Sequence, residues 1–421
     1  MTNDRPKPGY KRTEVGVIPE DWDILSLGEF LTFQNGVNAD KSFYGHGIPF
    51  INISEVMAHT HLNASDVPGL VSLSKQATDL YRVYKGDILF NRTSEVQEEL
   101  GLTSVYLDNE IVVFGGFVIR GRQKAKTLDI IYSAYALRSP SIRTQITSRG
   151  QGVVRANIGQ KDLSEIQICV PPLPEQRSIS QALSDVDRLI AALEKAIAKK
   201  RAIKTATMQQ LLTGKKRLPG FGEGKGYQQT EVGAIPEDWK VIKLRDVLKI
   251  KHGRSQHEIV DLNGVYPVLA TGGEIGRTNI PLYSQPSVLI GRKGTIDTPK
   301  YMDSPFWTVD TLFYSEISKN TDAKFVFYKF NLIDWYSYNE ASGVPSLNAA
   351  TIENIDQAFP LLEEEQRVIA TVLSDMDAEI AALETRLAKT RSIKQGMMQQ
   401  LLTGKVRLKI EAGMDAGRED D

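Results

Sequence analysis

Thr13–Trp22 reads TEVGVIPEDW and Thr230–Trp239 reads TEVGAIPEDW; Met208–Lys215 reads MQQLLTGK, and Met398–Lys405 repeats it unchanged. The chain carries one opening and one ending twice, so it is an internal duplication and each copy is expected to have the same architecture. The openings lie 217 residues apart, whereas Glu175-Gln176-Arg177 and Glu365-Gln366-Arg367 lie 190 apart, as do the two endings. The 27-residue difference therefore falls in the stretch after each opening, where loops absorb length changes that a packed helix does not.

Before each ending runs a long apolar seam. Ile179, Leu183, Val186, Ile190, Leu193 and Ile197 alternate in steps of four and three, continued by Lys200 and Lys204. Ile369, Leu373, Met376, Ile380, Leu383 and Leu387 keep the same register into Thr390. That alternation is the stripe of a coiled coil. Each run of roughly 40 residues makes a helix about 60 Å long. Pro172 and Pro174 fix the first start, and Gly214 and Gly404 allow the left-handed turn that closes each helix. Two equal seams in one chain cover each other most simply as an antiparallel pair, which puts the globular parts at opposite ends of a stiff spacer. Packing of each helix on its own domain, or on another protomer, is the alternative.

The stretches between the repeats are punctuated by glycine and carry short apolar runs: Asp87–Phe90, Ile111–Ile119 and Val288–Gly291 read as strands. Helices are expected near Ile131–Ser139 and Lys324–Tyr338. The fold class is α+β: two globular mixed-sheet domains separated by two long helices, with an internal pseudo two-fold repeat. The boundaries are 1–170 for the first domain, 171–217 for the first spacer helix, 218–360 for the second domain, 361–408 for the second spacer helix and 409–421 for an acidic tail.

The 421 residues are 41% hydrophobic and 24% charged, an ordinary globular balance. With no run of 18 apolar residues and no apolar N-terminal stretch, the chain is expected to be cytoplasmic and away from membranes. A single cysteine, Cys169, excludes an internal disulfide framework and a cysteine-rich zinc site, and reads as a small hydrophobe ending a strand. The net charge of −1 averages unlike regions. Pro174–Arg217 holds ten Lys or Arg against four acids, whereas Glu364–Arg407 holds seven against six.

The search for catalytic groups is negative. No glycine-rich loop precedes a Lys-Ser/Thr pair, and no Asn/Asp-Pro-Pro-aromatic segment is present to hold an amino group for methylation. His59 and His61 could share a metal but lack a third ligand, and the acids have no nuclease spacing. No catalytic, cofactor-binding or metal-ligating residue is assigned. Basic residues do collect at strand ends: Arg92 after the strand ending at Phe90, then Arg120, Arg122 and Lys124 around the one ending at Ile119. Arg254 follows Gly253, and Arg292 and Lys293 follow Gly291. Glycine beside arginine lets the backbone approach a phosphate while the guanidinium forks onto oxygens or a guanine edge. These seven are the expected DNA-binding residues.

The duplicated TEVG(V/A)IPEDW openings, PLPEQR with its counterpart LLEEEQR, Leu183-Ser184-Asp185 with Leu373-Ser374-Asp375, the Ala-Ala-Leu-Glu segments at Ala191 and Ala381, and the twin MQQLLTGK endings follow in a fixed order over residues 13–408. In these features the chain resembles the specificity subunits of type I restriction-modification systems. The resemblance implies two target recognition domains that each read one part of a bipartite, asymmetric duplex DNA sequence, with the paired helices setting the gap. It also implies two modification subunits that bind S-adenosylmethionine and methylate adenine, and two restriction subunits, using ATP and Mg, as optional members. No cofactor is then expected on this chain. One departure is the second lead-in, Phe359-Pro360-Leu361-Leu362-Glu363, in place of the double proline. A spacer between protein-binding domains would also explain the duplication, but not the basic strand ends. A fused, self-sufficient enzyme would need the motifs that are missing.

Overall fold

A computed structural model describes residues 6–152, 155–261 and 263–408, so the acidic tail lies outside the described residues. The chain folds as two compact units: one takes residues up to Ala192 with those from Leu387 on, the other takes Leu193–Arg386. The units differ from the sequence segments 1–170 and 218–360, because each also takes a stretch of both long helices.

Those helices are Leu173–Leu212 and Glu363–Leu401, close to the expected spans. Within the first unit the start of one lies against the end of the other. Ile179 and Leu183 share a core with Leu401 and Leu402, and Lys394 meets Asp187 at 2.6 Å. Within the second unit Lys200 reaches Glu379 at 2.6 Å and Lys204 pairs with Asp377. Numbers rise along one helix as they fall along the other, so the pairing is antiparallel. Ile179, Leu183, Leu193, Ile197, Ile369, Leu373 and Ile380 are buried, and Val186, Ile190, Met376, Leu383 and Leu387 are half-buried. Lys200 and Lys204 end the first seam because their ammonium groups find carboxylates.

The repeated words turn out to be parts of one contact knot. In the first unit, Trp22 of the opening donates its indole N–H to Glu175 at 2.9 Å, and Arg407 forks onto Glu175 (2.6 and 2.7 Å) and Asp21 (2.8 Å each). In the second, Trp239 donates to Glu365 at 3.3 Å while Arg217 holds Glu365 (2.6 and 2.8 Å) and Asp238 (2.7 and 3.0 Å). Each knot joins the opening and helix start of one copy to the helix end of the other. Gly404, at φ +67°, seats on Pro19 and Trp22, and Gly214, at φ +73°, on Pro236 and Trp239. A side chain at either glycine would strain the backbone and strike proline. Glu175 and Glu365 are almost fully buried, so the charge-assisted bonds form away from water, where they are strongest. Hydrogen bonds from Arg407 and Arg217 hold the carboxyls of Asp21 and Asp238 below the ordinary range.

Both units place their sheets alike. The first has a five-stranded sheet in the order Leu31–Asn35, Val118–Gln123, Ile88–Asn91, Thr103–Tyr106, His61–Leu62. The second has Leu248–Lys251, Leu312–Ile317, Ser287–Gly291, Lys300–Met302. A further sheet in each contains a parallel pair, Tyr44–Ile51 with Val112–Phe114 and Tyr266–Ala270 with Trp307–Thr308. The run Ile111–Ile119, expected as one strand, breaks at Gly115, where the chain leaves one sheet for the other. The expected helices appear as Ile130–Ala136 and Ala323–Phe330, with Trp335–Tyr338 a separate 3-10 turn. Asp129 and Asp322 cap them by accepting from Tyr132 and Phe325 N–H groups. Gln176 and Gln366, next to the knot glutamates, accept from the Asp129 and Asp322 N–H groups and so tie each cap to a long helix.

Candidate nucleic-acid interface

The point where the chain crosses between sheets is the same in both units. Gly115-Gly116-Phe117 follows the strand ending at Phe114, and Val309-Asp310-Thr311 follows the one ending at Thr308. Under each crossing runs a glycine, Gly36 or Gly253, whose missing Cβ would lie 2.1 Å from the carbonyl oxygen of Gly115 or Val309. Only glycine permits that approach.

Beside each crossing stands an arginine. The Arg92 N–H donates to the Phe117 carbonyl at 2.9 Å, and the Arg292 N–H donates to the Thr311 carbonyl at 2.8 Å. Each follows the strand paired to the outgoing one, after Asn91 or Gly291. Each guanidinium then reaches the carbonyl of the crossing's middle residue: Arg92 Nη1 to Gly116 and Arg292 Nη1 to Asp310, both at 3.4 Å. Arg92 and Arg292 are thus counterparts. Their surroundings differ, because Arg292 is also ion-paired to the Asp310 carboxylate, whereas Gly116 offers Arg92 no side chain.

Around the second crossing the structure gathers three of the expected residues. The Arg254 N–H donates to the Thr308 carbonyl at 2.8 Å, and Lys293 adjoins Arg292; both side chains are exposed. The first crossing gathers only Arg92. Arg120 is 7% exposed and spends its guanidinium on the Arg82 carbonyl (2.7 Å) and the Gln34 side chain. Arg122 holds buried Asp87 at 2.8 and 2.6 Å, with its guanidinium 4.4 Å from the Tyr84 ring centre. Burial lowers the Arg120 pKa, while the bond to Asp87 raises that of Arg122. Both brace the sheet. Lys124, at the far end of the strand, donates to the Gly28 (2.7 Å) and Glu29 (3.2 Å) carbonyls. The equivalence of Arg92 and Arg292 was readable from an Arg that follows an apolar run ending in Asn or Gly, but no sequence signal marked Phe117 or Asp310.

Among the described residues, no group of three or more His, Cys, Asp or Glu side chains comes together to hold a metal. His61 is tucked edge-on against Tyr135, 5.5 Å between ring centres, and burial lowers its pKa. Cys169 is half-buried in the strand Gln167–Val170, and burial pushes its thiol up to about 11. No helix among the described residues is long and apolar enough to cross a membrane.

Residues 19–203 and 236–391 match the family described as type I restriction modification DNA specificity domain. The type I restriction enzyme MjaVIII specificity subunit of Methanocaldococcus jannaschii is 26% identical over 440 residues, covering 93% of this chain and 94% of that protein. The type I restriction-modification S subunit from M. genitalium superposes with a TM-score of 0.58 at 16% identity, covering 90% of this chain and 96% of that one. A chain from a structure of type I R-M complex assembly superposes with a TM-score of 0.54 at 17% identity, covering 92% of this chain and 99% of its own.

Proposed function

The chain belongs to the type I restriction-modification DNA specificity family, and from that premise we propose that it reads a two-part, asymmetric duplex sequence and directs adenine methylation, and restriction where present, by partner subunits. As a specificity subunit it recognises DNA and leaves the chemistry to others. The observation that carries the finer reading is the pair of counterpart arginines, Arg92 and Arg292, each at the same sheet crossing but with different neighbours. Equivalent position supports a shared task, and unlike neighbours support unlike half-sites. An arginine forked onto guanine O6 and N7 is the commonest specific base contact. Arg254 and Lys293 then add phosphate or base contacts beside Arg292. The antiparallel helices, 40 and 39 residues long, are suited to fixing the number of unread base pairs between the half-sites.

Two modification subunits, holding S-adenosylmethionine, close around the duplex, and two restriction subunits with ATP and Mg complete the nuclease form. The target adenine leaves the stack at a cost of a few kcal/mol. This chain contributes by gripping the flanking sequence. The test is the methylated motif in DNA from cells making the chain with its modification partner. A two-part motif is expected, with Arg92→Ala altering one half and Arg292→Ala the other. A continuous motif, or both substitutions altering the same half, overturns the reading.

A further inference from the structure

Phe117 has a fixed backbone and a free ring. Its carbonyl accepts from the Arg92 N–H at 2.9 Å, and the preceding Gly116 donates its N–H to the Val37 carbonyl at 2.9 Å. Gly116 is itself hemmed in, since a Cβ there would lie 1.9 Å from Asn38 Oδ1. Yet the Phe117 side chain is 55% exposed. It lines two cavities of about 540 and 460 Å³, the first with Asn38, the second with Thr93 and Ser94, and both with Asn52, while Arg155 at the second is held by Glu95. A large apolar ring is thus held out next to Arg92 and ringed by groups able to hydrogen-bond base edges.

We infer that Phe117 is a specificity-determining residue that reads a thymine methyl group beside the base pair contacted by Arg92. The occupant follows from the neighbours. In the major groove, thymine is the base that presents an apolar group, and phenylalanine is among the side chains that meet it. The counterpart in the second unit is Thr311, whose hydroxyl accepts from the Thr271 N–H and whose carbonyl accepts from the Thr271 hydroxyl, so no exposed ring stands there and the phenylalanine contact is expected in one half-site only. The inference rests on the recognition role proposed above.

The experiment uses the assembled complex of this chain with its modification subunits, and duplexes of its methylated motif in which each thymine in turn is replaced by uracil. This removes one methyl group and keeps every hydrogen-bonding edge. One replacement, in the half altered by Arg92→Ala, is expected to weaken binding about three- to fivefold, the worth of one buried methyl-sized group. Phe117→Ala is expected to bind the thymine and uracil duplexes alike. Neutral uracil at every position, a half-site without thymine, or a uracil effect that persists in Phe117→Ala each overturns the inference. If Phe117→Ala does not assemble, Phe117→Leu takes its place, and the uracil scan on the unaltered complex still decides. A wild-type complex without a two-part motif overturns the underlying reading instead, so the two failures are told apart.

Discussion

The knot around Trp22 and the knot around Trp239 use the same atoms in the same roles, whereas the crossings beside Arg92 and Arg292 share their backbone and the arginine's reach to it but not the side chains around it. Where the copies must join to long helices they are alike: a buried glutamate, an indole N–H, a forked arginine and an aspartate. Where they face outward they diverge, with Gly116-Phe117 in one and Asp310-Thr311 in the other. A third place shows an interior difference. Tyr135 and Tyr328 both donate to an aspartate, Asp187 or Asp377, at 2.8 and 2.7 Å. The next residue is Ala136 in the first unit and Lys329 in the second. Lys329 is 3% exposed, donates to the Leu212 carbonyl at 3.1 Å, and is pushed down to about 7 by burial. The two copies agree where they join the long helices and differ at these outward crossings and in some of the interior filling.

The comparison is broken most severely at the knots. Glu365→Ala leaves Arg217 and the Trp239 N–H without their buried acceptor, and a cost of about 3–5 kcal/mol is expected. Glu175→Ala should cost as much, and denaturant titration of each variant measures both. Unequal losses would mean that the knots are alike in geometry but not in energy.

The crossings come next. Arg92→Ala and Arg292→Ala should each lose about 1–3 kcal/mol of base discrimination in one half-site, read as relaxed motifs by methylation-site sequencing. Asp310→Ala should loosen the Arg292 half with a smaller loss, since it frees the guanidinium without removing it.

Lys329 gives a pH signature. Its folded pKa lies below the ordinary 10.5, so between pH 7 and 10.5 the unfolded chain binds more protons and stability rises with pH. The slope from this group is at most about 1.4 kcal/mol per pH unit. Melting of wild type should therefore rise from pH 7 to 9, and Lys329→Met should remove that part of the slope. An unchanged slope would show that Lys329 remains charged in the fold. Smallest of all, Lys200→Ala removes a partly exposed ion pair with Glu379 and should cost under about 1 kcal/mol, less at high salt.

The seam and the helix ends were legible because they follow local periodicity and cap chemistry. The repeated words were legible as words, but their meaning was not, since Glu175 and Arg407 meet across 232 positions of sequence. Arg120 and Arg122 look DNA-facing in the sequence because a basic strand end reads the same whether it faces solvent or Asp87. The break at Gly115 was hidden inside an unbroken apolar run. Phe117 and Asp310 had no signal, as their importance comes from a neighbour 25 or 18 residues away.

The forked arginine of the first knot is also a matter of timing. Asp21, Trp22 and Glu175 leave the ribosome long before Arg407, with an interval of roughly 10–50 s at ordinary synthesis rates. The second knot waits only for Glu365, because its Arg217 and Trp239 have already emerged. The part of the protein made first is thus the last to be sealed, and a message cut short between Arg386 and Arg407 releases a chain whose later-born unit has all its residues while its earlier unit still lacks its lock.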